Sequence, residues 1–161
     1  MANNIPNLTF SELLGSGRPQ AVAWFQGKED QSQLGGFVKF YATSFGGTLV
    51  EIEVYGLPDK KGDSNFYGLH IHEYGNCSNS FTNTGEHYNP KKVPHPFHAG
   101  DLPPLISNDG YAWGSFFDGR ISTAELIGRS IVIHKKADDF TTQPSGNSGE
   151  KIACGVIRFV K

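Results

Sequence analysis

Apolar and polar residues alternate in short runs along most of this chain. In Val50-Glu51-Ile52-Glu53-Val54 the alternation is unbroken, as in a strand with one face on a core and the other in water. Residues 22–26, 37–42 and 48–55 are rich in β-branched and aromatic side chains and are bounded by Gly pairs or charged turns, so each predicts a strand. Residues 69–74, 111–117, 130–135 and 155–160 predict further strands. Turn signals at Asn108-Asp109-Gly110 and Asp118-Gly119 flank one of these. Helix signals are weak. Ser11-Glu12-Leu13-Leu14 before Gly15 predicts a single turn, and Ser122-x-x-Glu125, with capping-box spacing, is stopped by Gly128 after one or two turns. Short strands with turns between them imply an all-β domain, an antiparallel sandwich or barrel.

Two stretches break the pattern. Residues 75–110 hold five of the nine prolines and three of the six histidines, and residues 137–151 are polar and rich in Gly and Ser. Loops of this length in a compact domain are usually functional or disordered; metal ligands inside the first would supply its order.

Composition narrows the function classes. At 161 residues the chain suits one domain with a real core, and 37% hydrophobic residues exclude a disordered chain. Lys+Arg 14 against Asp+Glu 16 leaves a net charge of -2, with no global basic field to hold nucleic acid or an anionic membrane. The early apolar run at 21–25 falls far short of the roughly 20 residues a transmembrane helix needs. No basic segment leads into it, so no signal peptide is visible and a cytoplasmic protein is expected; export with the leader already removed is the alternative.

The chemistry lies in the histidines. His70-Ile71-His72 falls on a predicted strand, where residues i and i+2 share a face with Cα atoms about 6.5–7 Å apart. Both rings can then reach one ion, although two solvated surface histidines would read the same. An H-x-H-x-D-H hydrolase needs Asp and His where this chain has Tyr74 and Gly75, and a cupin needs Glu where it has Asn76 and Cys77. Downstream, His87, His95, His98 and Asp101 give H-x7-H-x2-H-x2-D, three imidazoles and a carboxylate of the kind that closes a zinc site. His70, His72 and His134, with one shared histidine, make a four-nitrogen set suited to tetragonal Cu(II).

With these residues in place the chain resembles the copper/zinc superoxide dismutase family, over roughly residues 20–161. The motifs that carry the resemblance are G-L-H-I-H-E-Y-G-N-C at 68–77, G-E-H-Y-N-P at 85–90, H-A-G-D-L at 98–102, G-R-S-I-V-I-H-K-K-A-D-D at 128–139 and G-N-S-G-E-K-I-A-C-G-V-I at 146–157. The resemblance implies an eight-stranded Greek-key β-barrel with two long functional loops outside its wall. Residues 20–161 would form that single domain, and residues 1–19 an extension with no assigned function. It implies copper on His70, His72, His87 and His134, zinc on His87, His95, His98 and Asp101, and His87 bridging the two. The implied reaction is dismutation of the superoxide anion by Cu(II)/Cu(I) cycling, with His87 passing a proton to the nascent peroxide. Asp138 would hydrogen-bond ligands of both metals, and Cys77 and Cys154 would form the family disulfide. Where family members usually carry an arginine three residues before the second cysteine, this chain has Lys151, the expected anion-attracting group. The short spacing between His95 and His98 looks closer to bacterial members, and both a homodimer and a monomer stay open. A non-catalytic copper/zinc-binding protein or metallochaperone of the same fold is the alternative function. A β-sandwich interaction module with incidental histidines is a third reading, which the H-x7-H-x2-H-x2-D spacing opposes.

Overall fold

The computed structural model describes residues 9–58 and 64–161. Ten strands appear among the described residues: β1 (Ala21–Gly27), β2 (Gly35–Ala42), β3 (Thr48–Tyr55), β4 (Phe66–Tyr67), β5 (Leu69–His72), β6 (Leu105–Ile106), β7 (Ala112–Asp118), β8 (Ser130–His134), β9 (Lys151–Val156) and β10 (Arg158–Phe159). Eight of them form one curled antiparallel sheet in the order β5-β8-β9-β1-β2-β3-β7, with β10 also pairing β1. The short β4 and β6 pair separately. Neighbours such as β3 and β7, or β9 and β1, are distant in sequence, which is the crossover pattern of a Greek key. The expected fold class is therefore found, with the two-stranded β4–β6 ribbon as an addition.

Alternation explains the curl. In β3, Val50, Ile52 and Val54 are buried while Glu51 and Glu53 face outward. Glu51 meets Lys39 across the β2–β3 pair at 3.1 Å. Val38, Ile52, Ile71 and Ile131 belong to one interior cluster, although they lie on strands at different places in the sheet order. Apolar faces that share one interior leave the opposite faces of β5 and β8 outside the barrel wall, where the long loops cover them.

Four elements differ from expectation. The strand expected at 155–160 starts earlier, at Lys151, and breaks at Ile157 into β9 and β10. Its first half lacks period-two patterning because it is buried on both faces: Ile152 and Ala153 join the barrel interior, and Cys154 lies under a loop beside Val132 and Phe81. The strand expected at 69–74 stops at His72, since the amides of Glu73 and Tyr74 donate to the carbonyls of Glu86 and Thr84 in the following loop. The helix α1 (Phe10–Ser16) runs longer than one turn because Thr9 and Glu12 form a capping box. In α2 (Thr123–Leu126) the capping box foreseen at Ser122 is not formed; its hydroxyl bonds the Glu125 carboxylate at 2.7 Å instead.

Candidate metal centre

Strand β5 sends Leu69 and Ile71 into the core and His70 and His72 to the opposite face. On its partner β8, Ile131 and Ile133 point inward, so His134 shares the outer side, one residue past a register shift at Ile133/His134. The other edge of β5 is taken by the long loop. The Ile71 amide donates to the Gly100 carbonyl and the Tyr88 amide to the Ile71 carbonyl. Isolated bridges put His87 opposite His72 and Asp101 opposite His70. A Cβ on residue 100 would lie 2.3 Å from the Ile71 carbonyl oxygen, which is why a glycine stands inside the 98–102 motif.

These placements gather two buried groups: His70, His72, His87 and His134, and His87, His95, His98 and Asp101. Within each group the candidate ligand atoms all lie within 4.8 Å of one another. All seven sequence-predicted ligands are brought together, and His87 belongs to both groups.

Hydrogen bonds set the ring tautomers. The Nδ1–H of His72 faces the Gly85 carbonyl at 3.0 Å, and that of His134 faces the Gly149 carbonyl at 3.1 Å. Their Nε2 atoms are then left 3.2 Å apart, lone pair toward lone pair. The Asp138 carboxylate accepts from His70 Nε2 at 2.7 Å and from His95 Nε2 at 2.9 Å. One carboxylate thus orients a ring of each group and frees the Nδ1 of both. Among the described residues, four buried ring nitrogens have no hydrogen-bond partner: Nδ1 of His70, His95 and His98, and Nε2 of His87. Nδ1 of His95 and His98 lie 3.1 and 3.2 Å from Asp101 Oδ2 but are not aligned to donate to it. Unpaired buried nitrogens cost free energy unless something satisfies them, and a cation at the centre of each group would satisfy them all.

Protonation agrees. Burial pushes His70 down to about 4 and His134 down to about 3, and holds His72 well below its ordinary value. For Asp101 burial opposes ionisation, but His87, with His98 and His95, holds the carboxyl below its usual range. At neutral pH His70, His72 and His134 are neutral and Asp101 is charged, the deprotonated state that metal ligands require. Three or four nitrogens suit copper, and three nitrogens with one carboxylate suit zinc.

The model of the family described as copper/zinc superoxide dismutase (SODC) matches residues 34–157. The chain belongs to that family. It is 33% identical over 138 residues to an extracellular superoxide dismutase [Cu-Zn] of Rattus norvegicus, covering 80% of this chain and 56% of the relative. It is 34% identical over 139 residues to superoxide dismutase [Cu-Zn] A of Xenopus laevis, covering 77% and 89%. With an extracellular superoxide dismutase [Cu-Zn] of Drosophila melanogaster it shares 33% over 157 residues, covering 86% and 84%. The chain spans about half the length of the rat and mouse relatives. All these relatives are animal proteins, so the bacterial affinity inferred from the short His95–His98 spacing draws no support from them.

Cys77 and Cys154 form a disulfide, as the resemblance implied. Lys151, at the position where the family usually has arginine, is half-buried, and its ammonium donates to Thr84 Oγ1 at 2.8 Å and to the Gly85 carbonyl at 3.2 Å. The same carbonyl takes the His72 Nδ1–H. Burial lowers the Lys151 pKa, against the charge of Glu86. Glu150, adjacent in sequence, turns to Lys28 at 2.6 Å. A cleft of about 410 Å³ lined by Glu73, Glu86, Asn89 and Lys92 reaches the edges of His87 and His98.

Sequence reasoning gave no role to Gln143 or Gly146, both of which support the site. Gln143 clasps the His95 backbone, accepting from its amide at 2.9 Å and donating to its carbonyl at 2.7 Å. Gly146, at φ +66, lets Asp138 lie between the groups: a Cβ there would fall 1.9 Å from Asp138 Oδ1 and 2.7 Å from His95 Nε2. A Gly146→Ala protein should therefore fold but bind zinc and copper about 10–100-fold more weakly, as expected for loss of an orienting partner. Chelator competition measures this, and unchanged affinities would show that Asp138 has room to move.

Proposed function

We propose that this protein is a superoxide dismutase, turning two superoxide anions and two protons into dioxygen and hydrogen peroxide. The observation that carries the reading is the sharing of His87 between two closed four-donor groups. On this reading His70, His72, His87 and His134 hold copper, and His87, His95, His98 and Asp101 hold zinc. Copper supplies the one-electron redox chemistry, and zinc a fixed charge.

The chain's own part is geometric and electrostatic. Asp138 holds His70 and His95 in the tautomer that offers Nδ1 inward, and the Gly85 and Gly149 carbonyls do the reverse for His72 and His134. His87 Nε2 is the atom suited to carry a proton to the departing peroxide, while its Nδ1 faces the second group, 2.8 Å from Asp101 Oδ1. Lys151 provides positive charge beside His72 and draws in a small anion. Two of its three possible N–H donors are already engaged with Thr84 and Gly85, whereas an arginine there would have five donors. A Lys151→Arg protein should therefore turn over faster per copper, by less than about tenfold. Pulse radiolysis at low ionic strength reads the difference, and equal rates would make the planar fork irrelevant here.

A stable disulfide favours an oxidising compartment, and the rat, mouse and fly relatives are named extracellular. We take export as better supported than the cytoplasmic location expected from the sequence. No described helix is long and apolar enough to cross a membrane.

The test combines elemental analysis with a dismutation assay on one sample, with and without cyanide. About one copper and one zinc per chain, with rapid cyanide-sensitive turnover, is the expected result. Zinc bound but no activity after copper reconstitution would favour the non-catalytic metal-binding alternative.

A further inference from the structure

Two of the four donors assigned to zinc, His98 and Asp101, sit on one turn. The His98 amide donates to Asp101 Oδ2 at 3.0 Å and the Asp101 amide to the His98 carbonyl at 3.2 Å. On one side the turn meets β5, where the Ile71 amide donates to the Gly100 carbonyl at 2.9 Å. On the other side, at the carbonyls of the two donor residues themselves, the anchor is Arg120, just beyond β7. Its Nη1 donates to the His98 carbonyl at 2.9 Å and its Nη2 to the Asp101 carbonyl at 2.6 Å. The other side of the guanidinium is held by Asp118, the last residue of β7, with Nε to Oδ1 at 3.0 Å and Nη2 to Oδ2 at 2.7 Å. Asp118 is itself buried and lies opposite Thr48 in the β3–β7 register.

We propose that Arg120, braced by Asp118, is a positioning residue that sets the zinc side of the metal centre by fixing the backbone of the His98–Asp101 turn against the barrel end. The inference rests on the reading of His87, His95, His98 and Asp101 as a zinc site. Metal donors must be held to within about 0.5 Å, and a turn free to drift would misplace half of this set together. Only a planar fork can meet a carboxylate on one side and two carbonyls on the other; a lysine ammonium keeps the charge but has three donors radiating from one atom.

Two variants test it, Arg120→Lys and Asp118→Asn, the second leaving the arginine in place if the first folds poorly. Zinc affinity is measured by chelator competition, and Co(II) placed at the same site reports donor geometry through its visible bands. Both variants should bind zinc at least tenfold more weakly and show altered Co(II) bands, while a urea titration of the metal-free proteins moves little. Zinc affinity within twofold of the parent in both variants, with unchanged Co(II) bands, would overturn the proposal and leave the Arg120–Asp118 pair as a fold contact only. A parent protein that binds neither zinc nor Co(II) would instead overturn the site assignment beneath it.

Discussion

A His87→Ala protein should lose dismutase activity by at least about 100-fold and hold neither copper nor zinc with parental affinity. The expectation follows from the ring's position rather than from its burial. His87 is the residue common to both donor groups. Its Nδ1 lies 2.8 Å from Asp101 Oδ1, while its Nε2 is buried without a partner. Its ring centroid is 3.9 Å from that of His70 and 5.6 Å from that of His98. Removing the ring leaves three donors on each side and opens a space between two clusters of unpaired nitrogens. A His98→Ala protein removes one donor from the zinc group alone, so its copper affinity should stay close to parental. Elemental analysis after dialysis, with the dismutation assay on the same samples, separates the two variants. A His87→Ala protein that retains both metals and full activity would end the shared-ligand reading.

The two donor groups were legible in the sequence because part of each rests on a short spacing, while His134, distant in sequence, was placed by the family motif around it. Two histidines at i and i+2 need only a strand to share a face, and the alternation at 69–72 supplied one. His95, His98 and Asp101 need only a tight loop. Asp138 entered through the family motif, and the structure gives it two histidine partners. Gly146 opens a family motif but nothing there states its role, and Arg120 lies in none. Each matters through a residue distant in sequence or a backbone carbonyl, and neither a Gly in a polar loop nor an Arg after a strand announces what it will face. Strand β9 was misplaced for a related reason: Cys154 is buried on the outer side of the barrel wall, so no polar partner marked the alternation. Lys151 was identified by position, but its engagement with Thr84 and Gly85 depends on how the disulfide loop returns to β9.

That loop gives the other large expected effect. Cys77 and Cys154 are separated by 77 residues, and a closure of that length is worth about 4–5 kcal/mol in the chain-entropy model. Against a usual total of about 5–15 kcal/mol, a metal-free Cys77→Ser/Cys154→Ser protein should lose about a third or more of its stability. The bridge also acts on the centre. Beyond Cys77 the chain packs Phe81 against Val132 and Cys154 and then presents Thr84 Oγ1 and the Gly85 carbonyl to Lys151. The Gly85 carbonyl fixes the His72 tautomer as well. Loosening the loop should thus weaken copper binding more than zinc binding, because no hydrogen bond of His95, His98 or Asp101 runs through this segment among the described residues. Urea titration of the metal-free double variant measures the first effect, and separate copper and zinc competition assays measure the second. A stability loss under about 1 kcal/mol would mean that Phe81 packing alone holds the loop. Equal weakening of the two metals would mean that the bridge supports the barrel rather than the Gly85 carbonyl.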